Sequence, residues 1–194
     1  MNTVLRPALV LLVILTTFTG ILYPLAVTGI AAILFPHQAG GSLVMKDGKA
    51  VGSSLIGQSF SATKYFWSRP SATSPQPNNG LASGGSNLGP LNPALTEAVK
   101  ARVAALRTAD PGNTAPIPVD LVTASGSGLD PDISVAAADY QAARVARVRG
   151  LRPAEVRALI AKHVRRRLLG WLGEPRVNVL ELNLALDAMR APAR

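Results

Sequence analysis

The chain has 194 residues, no cysteine and a formal net charge of +9. Without cysteine there is no disulfide framework, thiolate metal site or catalytic thiol. The excess charge is local: between Gln141 and Gly170 lie Arg144, Arg147, Arg149, Arg152, Arg157, Lys162, Arg165, Arg166 and Arg167, against one acid, Glu155. Such a cluster fits nucleic acid, anionic lipid, an acidic protein or simply a solvated helical surface.

The run from Ala8 to Phe35 carries no charged residue. Roughly 20 apolar residues span a bilayer as a helix, so this run crosses with tilt to spare. A cleaved signal peptide is the weaker reading, because the apolar run is too long and no small-residue cleavage site follows. A buried core helix would show a polar face, and this run offers only Thr16, Thr17, Thr19 and Thr28. Pro24 removes a donor and predicts a kink unless a neighbour or a Thr hydroxyl compensates. Gly20 and Gly29 leave surfaces where another membrane helix can pack closely.

After the anchor, Ser42–Val51 predicts a hairpin turning at Asp47-Gly48, and Ser54–Phe60 a further strand. Tyr65-Phe66-Trp67 reads as core or a partner contact. Ser71–Pro90, rich in Pro, Asn, Gly and Ser, reads as a flexible linker or a functional loop. Asn92-Pro93 opens a helix with a Leu95, Val99, Val103, Leu106 stripe, closed by Asp110-Pro111-Gly112. Ile117–Val122 reads as an edge strand because of its prolines. A second glycine-rich loop, Thr123–Asp130, leads to a helix capped by Ser134 or Asp132 and stopped at Gly150. Pro153 opens the next helix, with a Val156, Leu159, Ile160, Val164 stripe, broken by Gly170, Gly173 and Pro175. Arg152 is a poor cap there, worth roughly 1 kcal/mol against a Ser. Asn178 and Glu181 form a capping-box pattern for a strongly apolar last helix.

Familiar catalytic patterns are missing. The chain has neither a P-loop nor H-E-x-x-H, and its two histidines, His37 and His163, are far apart. Asp120, Asp130, Asp132 and Asp139 lack EF-hand spacing, and turn or cap roles suit Asp130 and Asp132 better. The residues compose no catalytic and no metal site. They describe a membrane-anchored accessory or binding domain of α+β class, with one N-terminal transmembrane helix followed by a single mixed helix and short-strand domain, and charge alone leaves its side of the membrane open. The boundaries are 1–7, 8–35 and 36–194.

Several dispersed motifs, in order, resemble one family. They are Arg6-Pro7-Ala8, Tyr23-Pro24-Leu25, Gly52-Ser53, Leu55-Ile56-Gly57-Gln58, Tyr65-Phe66, Arg69-Pro70-Ser71-Ala72, Ala82–Asn87 and Asn92-Pro93. Pro118–Ser125, Ser127–Asp130, Gln141, Arg144-Val145-Ala146 and Val177–Asp187 continue the series. The pattern is similar to the C subunit of the Kdp potassium-transporting ATPase, a bacterial high-affinity potassium uptake complex. The resemblance implies a non-catalytic, single-pass subunit of the inner membrane, with a cytoplasmic N-terminus and a periplasmic domain. Its implied partners are a channel-like potassium-selective subunit, a P-type ATPase subunit and a small single-helix subunit, besides membrane lipid; nucleic acid is not among them.

The resemblance also implies a role as catalytic chaperone, raising the pump subunit's affinity for ATP, with Gln141 at the position tied to nucleotide. The chain has no cofactor of its own. From the residues alone, Gln141 reads as a helix-surface residue beside Tyr140. Within this frame the loops become docking elements. The expected contacts on the channel-like subunit are Arg69, Pro70, Ser71, Ser83, Gly84, Gly85, Ser86, Asn87, Ser127, Gly128, Leu129 and Asp130. The alternative is a membrane-tethered regulatory domain that binds nucleotide or anionic partners through its basic helices.

Overall fold

The computed structural model describes residues 2–189. The chain divides into two compact units, Met1–Leu43 and Val44–Arg194.

The first unit is built on one long apolar helix: α1 (Asn2–Thr17), a π-helical turn (Phe18–Leu22) and α2 (Tyr23–Leu34). Together they give a continuous helical stretch of 32 residues, Thr3–Leu34, with none of its most apolar window buried. At 1.5 Å per residue it is about 48 Å long, more than a bilayer's hydrocarbon core requires. The helix takes in Arg6 and Pro7. At Pro24 the π turn answers the missing donor. The preceding residue, Tyr23, donates its backbone N–H five residues back to Phe18 O, and the extra residue moves carbonyls away from the pyrrolidine ring. Thr19 Oγ1 also donates to Leu15 O at 2.7 Å. Phe35, at φ −136°, ends α2, and a single turn, α3 (Pro36–Ala39), follows.

The second unit begins with the expected hairpin, β1 (Leu43–Lys46) and β2 (Lys49–Ser53). Asp47 and Gly48 both have positive φ, 51° and 75°, as a two-residue type I′ turn needs. Ser54–Phe60 is not a strand. Gly57 N–H donates instead to Leu129 O at 2.8 Å, so this segment pairs with a loop. Helix α4 (Pro93–Ala109) is capped as expected, Asn92 Oδ1 accepting from Ala94 N–H at 3.0 Å. Ile117–Val122 is not an edge strand either. Pro118 starts a 3-10 turn over Val119–Leu121, and Thr123 closes it by donating from its N–H and its hydroxyl to Val119 O.

A three-stranded antiparallel sheet, ordered β3 (Asp132–Ser134), β5 (Arg176–Asn178), β4 (Val164–Arg165), gathers three helices. Ile133 and Val164 flank Val177 in its register. Helix α5 (Val135–Arg149) starts at Ser134, whose Oγ accepts from Ala137 N–H, and stops at Gly150 with φ 66°. Helix α6 (Pro153–His163) stops short of the glycines, because Val164 leaves helical geometry to join β5. Its start is repaired by Glu155, which accepts from Arg152 N–H at 3.1 Å and from the Arg152 guanidinium. Helix α7 (Val179–Ala188) is capped by Asn178, whose Oδ1 accepts from Glu181 N–H at 3.1 Å.

Alanines on the inner face of α5 (Ala137, Ala138, Ala142, Ala146) let the other elements approach closely. Phe66, Ile133, Val156, Ile160, Val177, Leu182 and Leu186 fill the core around them.

Candidate functional site

Three loops meet on one side of the second unit and are stapled by side chain to backbone bonds. Arg69 ion-pairs with Asp130 at 2.8 Å, and the other Asp130 oxygen accepts from Asp132 N–H at 3.0 Å. Ser71 Oγ donates to Gly128 O at 2.6 Å and accepts from Asn78 N–H at 2.9 Å. Ser125 N–H donates to Pro70 O, and Gly84 N–H to Ser127 O at 2.8 Å. Ser83 Oγ adds a second bond to Ser127 O at 3.0 Å. The fit depends on glycine. A Cβ on Gly85 would lie 2.8 Å from Gly126 O, and one on Gly128, where φ is +68°, would lie 2.6 Å from Gly84 O.

Of the expected docking residues, Arg69, Pro70, Ser71, Ser83, Gly84, Gly85, Ser127, Gly128, Leu129 and Asp130 are thus brought together. Ser86 and Asn87 stand exposed beside them, Asn87 at φ 52°. The stretch from Ser71 to Pro90 is therefore a folded loop, not a free linker. Beside it opens a cavity of about 320 Å³, lined among others by Trp67, Arg69, Ser71 and Arg102. Arg102 donates to Val122 O at 2.8 Å, and burial lowers its pKa.

Gln141 is not a surface residue: it is 1% exposed, and Arg144 is 2% exposed. Gln141 Oε1 accepts from Trp67 N–H at 2.8 Å and from Arg144 at 2.7 Å, while its Nε2 donates to Trp67 O and Ala137 O, each at 3.2 Å. Arg144 donates further to Thr63 O and Tyr65 O, and its guanidinium lies 4.9 Å from the Trp67 ring centre. Desolvation pushes its pKa down to about 10, which leaves it charged at neutral pH. Asn183 completes this clamp, bonding Phe66 N–H at 2.9 Å and Phe66 O at 3.0 Å. Tyr65–Trp67 is thus held from three helical positions, with Phe66 fully buried. Arg144 and Asn183 fall within the matched motifs, but the sequence assigns them no site role. Their signal is a polar residue inside an apolar helical stripe, which calls for a buried partner.

The basic cluster is mostly neutralised at home. Arg147 pairs with Asp110, Arg149 with Asp187, Arg152 with Glu155, Arg165 with Glu181 and Arg167 with Glu174. Among the described residues of the cluster, Arg144 is held by Gln141 and backbone carbonyls, and Arg157, Lys162 and Arg166 have no carboxylate partner. The broad basic surface that the sequence suggested is therefore reduced to a few charges.

Three of the four clustered acids, Asp120, Asp130 and Asp132, are likewise committed, while Asp139 is exposed on α5. Asp120 accepts from Ser134 N–H at 2.8 Å and from Ser134 Oγ at 3.1 Å, and Asp132 pairs with Arg176 at 2.7 Å. Burial raises the Asp132 pKa against the opposing pull of Arg165 and Arg176. Among the described residues no group of three His, Cys, Asp or Glu side chains is placed to hold a metal. His163 Nδ1 lies 2.9 Å from Leu159 O, one turn back on its own helix. In the apolar helix, Gly20, Pro24 and Gly29 are exposed, with open space around both glycines.

An apolar helix long enough to cross a membrane thus precedes an α+β domain whose loops are locked together, which fits a single-pass membrane protein. The family model described as "KdpC: K+-transporting ATPase, c chain" matches residues 5–188, and the chain belongs to this family. It is 70% identical over 191 residues to the potassium-transporting ATPase KdpC subunit of Variovorax paradoxus (strain S110), covering 98% of this chain and 99% of that one. It is 67% identical to the proteins of the same name from Methylibium petroleiphilum, over 98% of this chain and 100% of that one, and from Polaromonas naphthalenivorans, over 98% and 97%.

Proposed function

We propose that the chain is the accessory subunit that assembles and stabilises an ATP-driven potassium uptake complex. In this reading α1 and α2 cross the inner membrane with the N-terminus in the cytoplasm, and the second unit stands on the outer face. The stapled loops dock on the channel-like subunit near the ion entrance, and Gly20, Pro24 and Gly29 offer a packing face to neighbouring membrane helices, including those of the P-type ATPase subunit and the small single-helix subunit. The observation that carries the reading is the interlock itself. A face fixed by Arg69–Asp130, Ser71–Gly128 and Gly84–Ser127 loses little conformational entropy on binding, which favours docking.

The chaperone role toward ATP reaches the pump subunit indirectly in this reading. Gln141 has both amide atoms engaged inside the domain, so it positions Trp67 and offers no free group to a nucleotide.

Co-purification through a tagged chain tests the proposal. Asn87→Gly, which removes the side chain and suits the left-handed backbone there, is expected to weaken recovery of the channel-like subunit several-fold and to lower potassium uptake with little change in the domain's melting temperature. Arg69→Ala is expected to lower all three, since it also opens the staple. Unchanged recovery and uptake in both variants would refute loop docking.

A further inference from the structure

The turn between β4 and β5 presents an apolar tip that neither the core nor the loop face uses. Leu168 and Leu172 bond each other through both backbone groups at 2.9 Å, and Leu169 and Gly170 turn the chain at φ 54° and 83°. The result is a tight, preformed tip rather than a loose loop. On it, Leu168, Leu169 and Trp171 are 67%, 76% and 70% exposed. Arg167 pairs with Glu174 at 2.8 Å across its base, and Arg165 pairs with Glu181 at 2.7 Å. Arg166 and Lys162 remain without a carboxylate partner among the described residues.

We propose that this tip is a membrane-interface contact, seating Leu168, Leu169 and Trp171 at the headgroup–acyl boundary of an anionic bilayer. Three features favour lipid. Tryptophan among leucines is the chemistry of the interfacial zone, where an amphipathic ring sits at headgroup level. The unpaired cations beside the tip complement lipid phosphates. The patch is small: three side chains fall far short of the roughly 800 Å² per partner of a stable protein interface. A domain tethered by its own apolar helix needs no more than a weak second contact. Residues 35–42 join that helix to β1, and so short a segment spans at most about 30 Å even when extended.

The chain has no cysteine, so Leu169→Cys carries the only thiol in it and takes a nitroxide label at an exposed turn. The full chain is placed in vesicles of phosphatidylcholine and phosphatidylglycerol, and also in the assembled complex in the same lipids. Collisions of the label with oxygen, which partitions into lipid, are compared with collisions with a water-soluble nickel chelate. Ala101→Cys, on the exposed face of α4, provides the solvent reference. The oxygen-to-nickel ratio at position 169 is expected to exceed the reference several-fold in both preparations, and to fall when Arg166→Glu is added or phosphatidylglycerol is omitted. A ratio equal to the reference would overturn the proposal, as would shielding from both reagents in the complex, which would identify a protein contact instead. Unchanged circular dichroism of each variant establishes that the fold is intact.

Discussion

At the scale of single residues, Arg144 is the charge on which most depends. It satisfies Gln141 and two backbone carbonyls at once, inside a domain that keeps it 2% exposed. Arg144→Met keeps much of the volume but removes the donor to the Thr63 and Tyr65 carbonyls, while Gln141 Oε1 keeps Trp67 N–H. It should cost about 2–3 kcal/mol, the usual range for losing hydrogen bonds to a charged group; urea unfolding of the full chain in detergent measures it, and a loss under 1 kcal/mol would contradict the clamp. Asp132 gives a pH signature. Its folded pKa is raised above 3.8, chiefly by desolvation, so the folded state binds a proton more readily than the unfolded one. Its contribution therefore falls as pH rises from 3.8 through the raised value, and is regained on acidification. The urea midpoint of Asp132→Asn relative to the parent should shift across that acid window and level off above it; a pH-independent difference would contradict the assignment.

At the scale of elements, the glycines separate two kinds of constraint. Gly150 and Gly128 both have positive φ, but a Cβ at Gly150 meets open space while one at Gly128 meets Gly84 O at 2.6 Å. Gly150→Ala should cost about 1 kcal/mol, from backbone conformation alone. Gly128→Ala should cost about 2–3 kcal/mol, because strain is joined by the parting of two loops, and it should expose the Ser71–Pro90 stretch to limited proteolysis. Equal effects of the two substitutions would argue against the interlock.

The same contrast explains what could be read from sequence. Helices α4, α5 and α7 were legible because Asn92, Ser134, Asn178 and Gly150 are local signals within a turn of the elements they bound. Strands β3, β4 and β5 were not, since two or three residues are too few to show a period. The end of α6 was misjudged because Val164 follows its strand partner, Val177, rather than the glycines ahead. Ser71–Pro90 looked free because its order comes from Ser125–Asp130, far along the chain. The loop residues could be named from their motifs, but Ser71 bonding Gly128 could not. Gln141 was placed on the surface because helix periodicity does not reveal that the Thr63–Trp67 backbone covers it.

At the scale of the whole molecule, a net charge of +9 is a poor guide to partners, because most arginines between Arg144 and Arg167 meet a carboxylate or a carbonyl within their own domain. Weak, salt-sensitive association with polyanions is therefore expected, without base or sequence preference. What the molecule presents instead is a rigid loop face on a domain tied to an apolar helix. Docking of the channel-like subunit on this face is the proposed role. The most direct measurement places a photo-crosslinking amino acid at Asn87 in cells expressing the whole potassium-transport complex, with Ala101 as the control position. A covalent product with the channel-like subunit is expected from position 87 and none from position 101. Absence of that product from a stably assembled complex, or equal crosslinking from both positions, would contradict it.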